Sequence, residues 1–151
     1  MKLIPLTRRL SAMVDDEDYD RISRHRWYAN PQRNTHYARR TPTLNGKKIS
    51  ILMHREVMGL TVGDNQMIDH INRDGLDNRK SNLRFCDCVV NARNAWLQRN
   101  NTSGCKGVCW NKRSKMWQVQ GTIKGVRKYC GLYSDLQEAK EVYEKEFEDA
   151  T

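Results

Sequence analysis

The sequence predicts an α+β protein of two parts, a β-rich N-terminal region and a C-terminal three-stranded antiparallel sheet backed by one helix. With 151 residues, the chain has room for one ordinary domain or two small ones. Residues 117–123 alternate between apolar and polar side chains, and Lys124-Gly125 is a tight-turn signal before a strand at 126–133. Ser134 and Gln137 have the spacing of a capping box. The helix that follows carries an apolar stripe made of Leu136, Ala139, Tyr143 and Phe147.

Short strands around one helix are predicted for the first sixty residues. The acidic run 15–18 is the composition that a helix N-terminus favours, so a helix is expected from there to about Arg24. A second short helix is expected from His54 to Leu60. Turn signals such as Asn45-Gly46 separate the strands. These strands are predicted at 3–4, 12–14, 27–29, 36–38 and 48–52.

The middle of the chain is predicted as two strands followed by a helix. Residues 66–71 form a short strand that ends in a polar loop, and residues 82–85 form the next strand. Asp87 then caps a helix that runs to Ala95 or Trp96. Residues 98–104 are polar and lack apolar periodicity, which predicts a linker. The expected domains are therefore 1–97 and 105–151, the second beginning with a strand near 107–110.

Positive charge is concentrated in particular segments of the chain. Lys and Arg number 27 against 18 Asp and Glu, a formal net charge of +9. Residues 97–133 contain 8 basic residues and no acidic ones, whereas residues 61–96 contain 5 of each. A segment of cations without anions indicates a phosphate backbone as the partner. The neutral segment is rich in Asp, Asn and His, which bind hard metal ions and transfer protons.

Composition argues against several classes of protein. No stretch is long and apolar enough to cross a bilayer, and Met1–Leu10 is not a signal peptide, so we expect a cytoplasmic protein without a membrane partner. Five cysteines, an odd number, argue against a disulfide framework. Cys86-x-Cys88 and Cys105-x-x-x-Cys109 could supply four thiols to zinc, but the first spacing is tight and paired CxxC motifs are absent. The sequence favours thiols without structural Zn²⁺.

One ordered set of residues in the neutral segment combines a group that can accept a proton with oxygen-bearing side chains. Asp69-His70 ends a predicted strand, Asn82 follows His70 by twelve positions, and Asn91 lies on the next helix. An ordinary imidazole titrates near neutrality, so His70 suits a general base. Oxygen ligands from Asp69 and Asn91 would favour one Mg²⁺ or Mn²⁺ over Zn²⁺. Asn94, three residues beyond Asn91, could share that role or contact DNA.

Residues 54–94 resemble the HNH endonuclease family, especially its phage and homing-type members. The resemblance rests on Asp69-His70, on Asn82-Leu83-Arg84 and on Asn91. It implies a ββα-metal (His-Me finger) fold with His70 as catalytic base and Asn82 holding His70 in position. In the alternative interpretation, these residues are ordinary turn and cap residues and His70 is a structural histidine. His54 is interpreted as a packing or orienting residue.

Residues 103–147 resemble the plant ethylene-response-factor (Apetala-type) DNA-binding domain. The resemblance is carried by the glycines and tryptophans at 104–117, by Gly131-Leu132-Tyr133 and by the helix that follows. It implies a three-stranded sheet that binds the major groove of double-stranded DNA. Alternation places the apolar residues of 117–123 on the helix side and the polar ones on the opposite face. The predicted DNA-binding residues are Lys106, Lys112, Arg113, Gln118, Gln120, Thr122, Arg127 and Tyr129.

Taken together, the residues and resemblances predict a metal-dependent DNA endonuclease of HNH type, homing-type or site-preferring, that nicks DNA. The alternative is a non-catalytic, sequence-preferring DNA-binding regulator with a degenerate HNH fold. A solvated polar sheet face is the alternative for the C-terminal surface, and the acidic helix residues are expected to face solvent. These acidic residues are Glu138, Glu141, Glu144 and Glu148. The sequence leaves open whether the protein acts as a monomer or a dimer.

Overall fold

The computed structural model describes residues 1–147 and divides the chain into two compact units, Met1–Trp96 and Leu97–Thr151. Glu148 and the last residues of the predicted second domain lie outside the described residues. Both units combine helices with small antiparallel sheets, which confirms the predicted α+β class. Within residues 1–147, no helix is both long enough and apolar enough to cross a membrane.

Four small antiparallel sheets and three helices build the first unit. Its first half consists of β1 (Lys2–Pro5), β2 (Ser11–Val14), α1 (Asp16–Ile22), β3 (Tyr28–Pro31), β4 (His36–Arg40), β5 (Thr43–Leu44) and β6 (Lys47–Lys48). Its second half consists of β7 (Ile51–Leu52), α2 (Met53–Val57), β8 (Met67–His70), β9 (Leu83–Cys86) and α3 (Cys88–Asn94). The sheets are β1-β2, β3-β4-β7, β5-β6 and β8-β9.

The first unit has one hydrophobic core, to which β1, β2, β4, α1 and α2 all contribute. Trp27 is its largest residue, and the indole nitrogen donates to the backbone oxygen of Ile22 at 2.9 Å, so the end of α1 is anchored to the start of β3. Leu83 at the start of β9 belongs to the same core, which fixes the β8-β9 hairpin against it. The buried members are Ile4, Ala12, Val14, Ile22, Trp27, Ala38, Met53, Val57 and Leu83.

The predicted strand at 48–52 is wrong. The structure has two separate strands there, β6 and β7, which belong to different sheets. Between them, the backbone nitrogen of Ile49 donates to the backbone oxygen of Pro42 at 2.9 Å, so the chain turns before it joins β4. Ile49 lies in the break and is as apolar as Ile51 and Leu52 of β7, so composition alone does not reveal where the strand is interrupted.

The second unit is a three-stranded antiparallel sheet with one helix packed on it. Its elements are β10 (Val108–Asn111), β11 (Met116–Ile123), β12 (Val126–Tyr133) and α4 (Leu136–Phe147), and the sheet order is β10-β11-β12. Val108, Val119, Ala139 and Phe147 are the buried core. The predicted strands and helix are confirmed, with ends that differ by one or two residues.

The predicted cap of this last helix is wrong. Asp135, not Ser134, precedes the first helical residue, and its carboxylate accepts from the backbone nitrogen of Glu138 at 2.9 Å. Gln137 contacts Glu141 along the helix instead of reaching back to its start. A carboxylate at this position also interacts favourably with the positive end of the helix dipole.

A bulge in β12 lets the sheet keep one apolar and one polar face. Val119 pairs with Gly131 and Gln120 pairs with Tyr129, so Cys130 is the extra residue between them. Gly121 leaves room for the ring of Phe147, because a side-chain carbon at this position would lie 2.5–2.8 Å from that ring. The helix therefore packs closely on β11.

Gly107→Ala is expected to lower the free energy of unfolding of the second unit more than Gly125→Ala does. Both glycines have positive φ, +73° and +80°, and share the cost of that backbone conformation, about 1 kcal/mol. A methyl group at Gly107 would also clash with the ring of Tyr143 and the backbone oxygen of Gln120, whereas the space around Gly125 is open. Chemical denaturation should give an additional loss of about 1–3 kcal/mol for Gly107→Ala; equal losses in both variants would contradict the close packing.

Candidate functional site

The two strands β8 and β9 place the predicted reactive residues at one end of a hairpin. Asp69 pairs with Arg84, and His70, the last residue of β8, pairs with Leu83. Asp69 is only 7% exposed and His70 only 4% exposed, although both are polar. Helix α3 follows directly, so the local order is strand, strand, helix.

The imidazole of His70 lies in a buried cluster of rings. Its ring centre is 4.9 Å from that of His54, in an edge-to-face arrangement, and 5.5 Å from that of Tyr37. Burial lowers the pKa of His70, while the side chain of Asn78 and the nearby carboxylates, led by Asp69, act in the opposite direction. The Nε2 atom of His70 is buried and has no hydrogen-bond partner within residues 1–147. One nitrogen of the ring is therefore not committed to the fold.

Asn82 closes the loop that follows His70. Its side-chain oxygen accepts from the backbone nitrogen of Asn72 at 3.0 Å, and its amide nitrogen donates to the Asn72 side chain at 2.9 Å and to the Asp77 backbone oxygen at 2.8 Å. Its backbone oxygen accepts from Ile71 at 2.9 Å. Asn82 therefore holds the backbone of Ile71 and Asn72, the two residues directly after His70.

A buried ion pair stabilises the same loop. The carboxylate of Asp77 is 1% exposed and accepts from the Arg79 guanidinium at 2.7 Å. Hydrogen bonds from Arg79 lower the pKa of Asp77, so this carboxylate stays charged. Backbone hydrogen bonds of 2.8 Å join Met13 to Leu76 and to Asn78, which anchor the loop to β2.

The carboxylate of Asp69 has two neighbours that donate hydrogen bonds. The Nε and Nη2 atoms of Arg84 lie 3.1 and 2.8 Å from Oδ2 of Asp69. The amide nitrogen of Asn94 lies 2.9 and 3.0 Å from the two oxygens of Asp69 and 2.7 Å from the backbone oxygen of His70. The two carboxylate oxygens of Asp69 and the backbone oxygen of His70 thus all lie within hydrogen-bond distance of the amide nitrogen of Asn94.

Asn94, and not the predicted ligand Asn91, is the helix residue that the structure brings to Asp69. Asn91 lies on the same helix but is exposed to solvent. Asn94 is one turn further along α3, and its oxygen accepts from Nε of Arg73 at 3.2 Å. Asn91 and Asn94 point in different directions from the helix axis. Because α3 begins at Cys88, with Asp87 as its cap, the side chain that faces β8 is that of Asn94.

The groups around Asp69 include oxygen atoms of the kind that hard divalent cations accept. A half-turn of the Asn94 amide exchanges its nitrogen and oxygen positions; it would turn the oxygen towards Asp69 and give up the hydrogen bond from Nε of Arg73. Carboxylate, amide and backbone oxygens are ligands that Mg²⁺ and Mn²⁺ accept. Within the described part of the chain, no group of three or more His, Cys, Asp or Glu side chains is arranged to bind a metal ion. A divalent cation at this position would therefore depend on the single carboxylate of Asp69, together with amide and backbone oxygens.

The cysteines that could have supplied zinc ligands are divided between the two units. Cys86 and Cys88 lie at the end of β9 and the start of α3, and Cys105 and Cys109 belong to the second unit. All five thiols are free of disulfides. Burial raises the pKa of Cys86 and of Cys130, which disfavours their thiolate forms.

Among the residues of this site, His54 had the weakest support from the sequence for a place near His70. It lies on α2, is 8% exposed, and its ring packs against both Tyr37 and His70. Burial, with a further contribution from His70, lowers the pKa of His54 to about 3. The interpretation as a packing or orienting residue agrees with this position. Only the tertiary structure reveals that His70 is its neighbour.

Polar side chains form a connected row on the face of the second unit's sheet that points away from α4. The amide of Asn111 donates to Gln118 at 3.2 Å, Gln118 donates to Gln120 at 3.2 Å, and Arg127 donates to Gln120 at 2.8 Å. We call these four residues the amide row. Thr122 pairs with Arg127 and Tyr129 pairs with Gln120, and both are exposed.

The predicted phosphate contacts lie in turns beside this face. Lys112 and Arg113 are exposed in the turn between β10 and β11, and the backbone nitrogen of Arg113 donates to the side chain of Asn111. Lys106 lies just before β10 and is half-buried. Lys128 is instead on the helix side, where it pairs with Glu146. The structure therefore brings five of the predicted residues to one face of the sheet and places Lys112 and Arg113 in an adjoining turn; the five are Gln118, Gln120, Thr122, Arg127 and Tyr129.

The fold and site define a mixed α+β protein with a buried polar hairpin site and a separate basic sheet. A 58-residue segment is 38% identical to Protein 3.8 of Escherichia phage T7. The match covers 38% of this chain and 48% of the phage protein, so it spans about half of that relative. No protein-family model and no solved structure matches the chain.

Stability should fall as the pH is lowered from 7 to 5, largely because of His54. Its pKa is about 3 in the folded protein and about 6.5 when unfolded, so between these values the unfolded state binds more protons. By pH 5 the free energy of unfolding should be about 1–2 kcal/mol lower than at pH 7. The contribution of His54 is fully present above pH 6.5 and is lost as the pH falls below that value. His54→Phe should flatten the pH dependence of denaturant unfolding.

His36→Gln is the matched control, since it removes a histidine that lies outside the ring cluster. This variant should show the same slope of unfolding free energy against pH as the wild-type protein. If His54→Phe and His36→Gln have the same slope as the wild type, His54 does not carry the pH dependence.

Proposed function

We propose that this protein is a metal-dependent DNA endonuclease of HNH type that nicks DNA. The observation that carries the proposal is the buried imidazole of His70, with an uncommitted nitrogen, on the residue that follows the buried Asp69 at the end of a β-hairpin. In this proposal β8, β9 and α3 form the ββα-metal core, with Asn94 taking the place predicted for Asn91. The resemblance of residues 54–94 to HNH endonucleases supports the same assignment.

His70 is the general base of the proposed reaction. Because burial lowers its pKa, its ring is neutral near pH 7 and one nitrogen can accept a proton from water. Asn82 keeps the backbone around His70 in place, and the rings of His54 and Tyr37 restrict the imidazole from the sides. Asp69 and Asn94 would hold one Mg²⁺ or Mn²⁺. When bound, that ion neutralises charge on the phosphate and on the leaving oxygen.

Double-stranded DNA is the proposed substrate, and the second unit provides the affinity. The amide row offers donors and acceptors of the kind that contact base edges, while Lys106, Lys112 and Arg113 offer cations to phosphates. The absence of acidic residues in 97–133 supports this role. An intracellular, phage-type or homing-type nuclease is the narrower class that we propose.

A non-catalytic DNA-binding regulator is the second candidate. It is favoured by the contacts of Asp69, whose two oxygens already accept from Arg84 and Asn94. A carboxylate satisfied in this way could be purely structural. Binding of DNA without cleavage would distinguish the regulator from the nuclease.

His70→Ala should abolish divalent-dependent nicking of supercoiled plasmid. Loss of a general base lowers the rate by about 10²–10⁴-fold, and binding of DNA should remain. His25→Ala, which removes an exposed imidazole on the same unit, should nick at the wild-type rate. A wild-type protein that binds DNA but does not nick it with Mg²⁺ or Mn²⁺ would support the regulator instead.

The salt dependence of DNA binding tests the role of the second unit. Each phosphate neutralised contributes about −0.9 to the slope of log K against log salt concentration. Replacing both Lys112 and Arg113 by Ala should therefore make the slope less steep by about 2. Replacing both Lys140 and Lys145 of α4, on the other side of the sheet, should leave it unchanged. Equal slopes in the two double variants would contradict the proposed DNA-binding face.

A further inference from the structure

Arg84 occupies the carboxylate that a metal ion would need. Two of its nitrogens contact Oδ2 of Asp69, and the amide of Asn94 contacts both carboxylate oxygens. The Asp69 side chain is 9% exposed, so these neighbours provide the main compensation for its burial. A divalent ion that binds Asp69 must replace at least part of this arrangement.

The position of Arg84 follows from the strand register and not from a flexible surface contact. Arg84 on β9 lies directly opposite Asp69 on β8, so the two side chains share one face of the hairpin. The guanidinium side chain remains 39% exposed. It can therefore move away from the carboxylate into solvent without leaving a buried charge of its own.

We propose that Arg84 competes with the divalent ion for Asp69 and holds this carboxylate in the metal-free protein. This inference rests on the proposed function, because it concerns the same cation site. A guanidinium and a divalent cation have charges of the same sign, and both are attracted to the Asp69 oxygens. Entry of the ion displaces the guanidinium from Oδ2, and the released group faces solvent beside the site. There it is available to a backbone phosphate.

The chain contains a matched pair that does not take part in this competition. Arg79 contacts the buried Asp77 at 2.7 Å, and its side chain is 37% exposed, close to the 39% of Arg84. Both arginines pair with a buried aspartate of the same hairpin region. Arg79 differs in that its aspartate is bonded to Arg79 and Asn72 and lies outside the proposed ligand set.

Binding of Mn²⁺ alone to the full chain without DNA tests the inference. Free Mn²⁺ is measured by electron paramagnetic resonance for the wild type, Arg84→Gln, Arg84→Lys, Arg79→Gln and Asp69→Asn. Arg84→Gln should bind Mn²⁺ about three- to tenfold more tightly than the wild type, the size expected for loss of a partly exposed ion pair. Arg84→Lys should lie between them, because lysine lacks the planar fork that pairs with a carboxylate. Arg79→Gln should keep the wild-type affinity.

The variants separate failure of the inference from failure of the proposed function. If Asp69→Asn loses Mn²⁺ binding while Arg84→Gln binds no more tightly than the wild type, the competition is overturned and the cation site stands. If Arg79→Gln tightens binding as much as Arg84→Gln, the effect is one of net charge and the inference is also overturned. If Asp69→Asn binds Mn²⁺ as the wild type does, both the cation site and the competition are wrong. Circular dichroism confirms that each variant is folded, and Arg84→Lys gives a second reading should Arg84→Gln unfold.

Discussion

The hydrogen bonds of Asn82 hold together the loop on which the site depends. Residues 71–82 connect β8 to β9, and ordering a loop of this length costs conformational entropy. The side chain and backbone of Asn82 form four hydrogen bonds across it, to Ile71, Asn72 and Asp77. Each contributes about 1 kcal/mol, and each buried partner would be unsatisfied without it. A hydrophobic residue at position 82 could preserve the core but not the loop.

Closure of this loop explains how polar residues can be buried in a small protein. The buried carboxylate of Asp77 is compensated by hydrogen bonds from Arg79, and that of Asp69 by hydrogen bonds from Arg84 and Asn94. The buried amide of Asn78 donates to the backbone oxygen of Leu76. His70 lies among these groups, and packing of its ring against His54 and Tyr37 keeps it out of water. Burial then favours the neutral imidazole, which is the form that a general base requires. The fold thus keeps a neutral imidazole and charged carboxylates buried within one small region.

The second unit places its hydrophobic core and its row of polar side chains on opposite faces of one sheet. Val108 and Val119 face α4 and form the core with Ala139 and Phe147. The opposite face needs no apolar residues, so the amide row can occupy it without weakening the core. The bulge at Cys130 lets the register change between Val119 and Gln120 while the polar residues stay on this face.

Features that depend on local order or on composition could be predicted from the sequence alone. Alternation in 117–123 and the turn at Lys124-Gly125 predicted the C-terminal sheet, because side chains of a strand alternate between its faces. Charge in 97–133 is a property of composition, and the spacing of His70 and Asn82 was visible along the chain. Contacts between distant residues follow instead from the tertiary structure: Asn94 rather than Asn91 contacts Asp69, the ring of His54 packs on that of His70, and Arg84 pairs with Asp69. The rotation of α3 and the pairing of β8 with β9 are set by packing between segments distant in sequence, which no local pattern encodes.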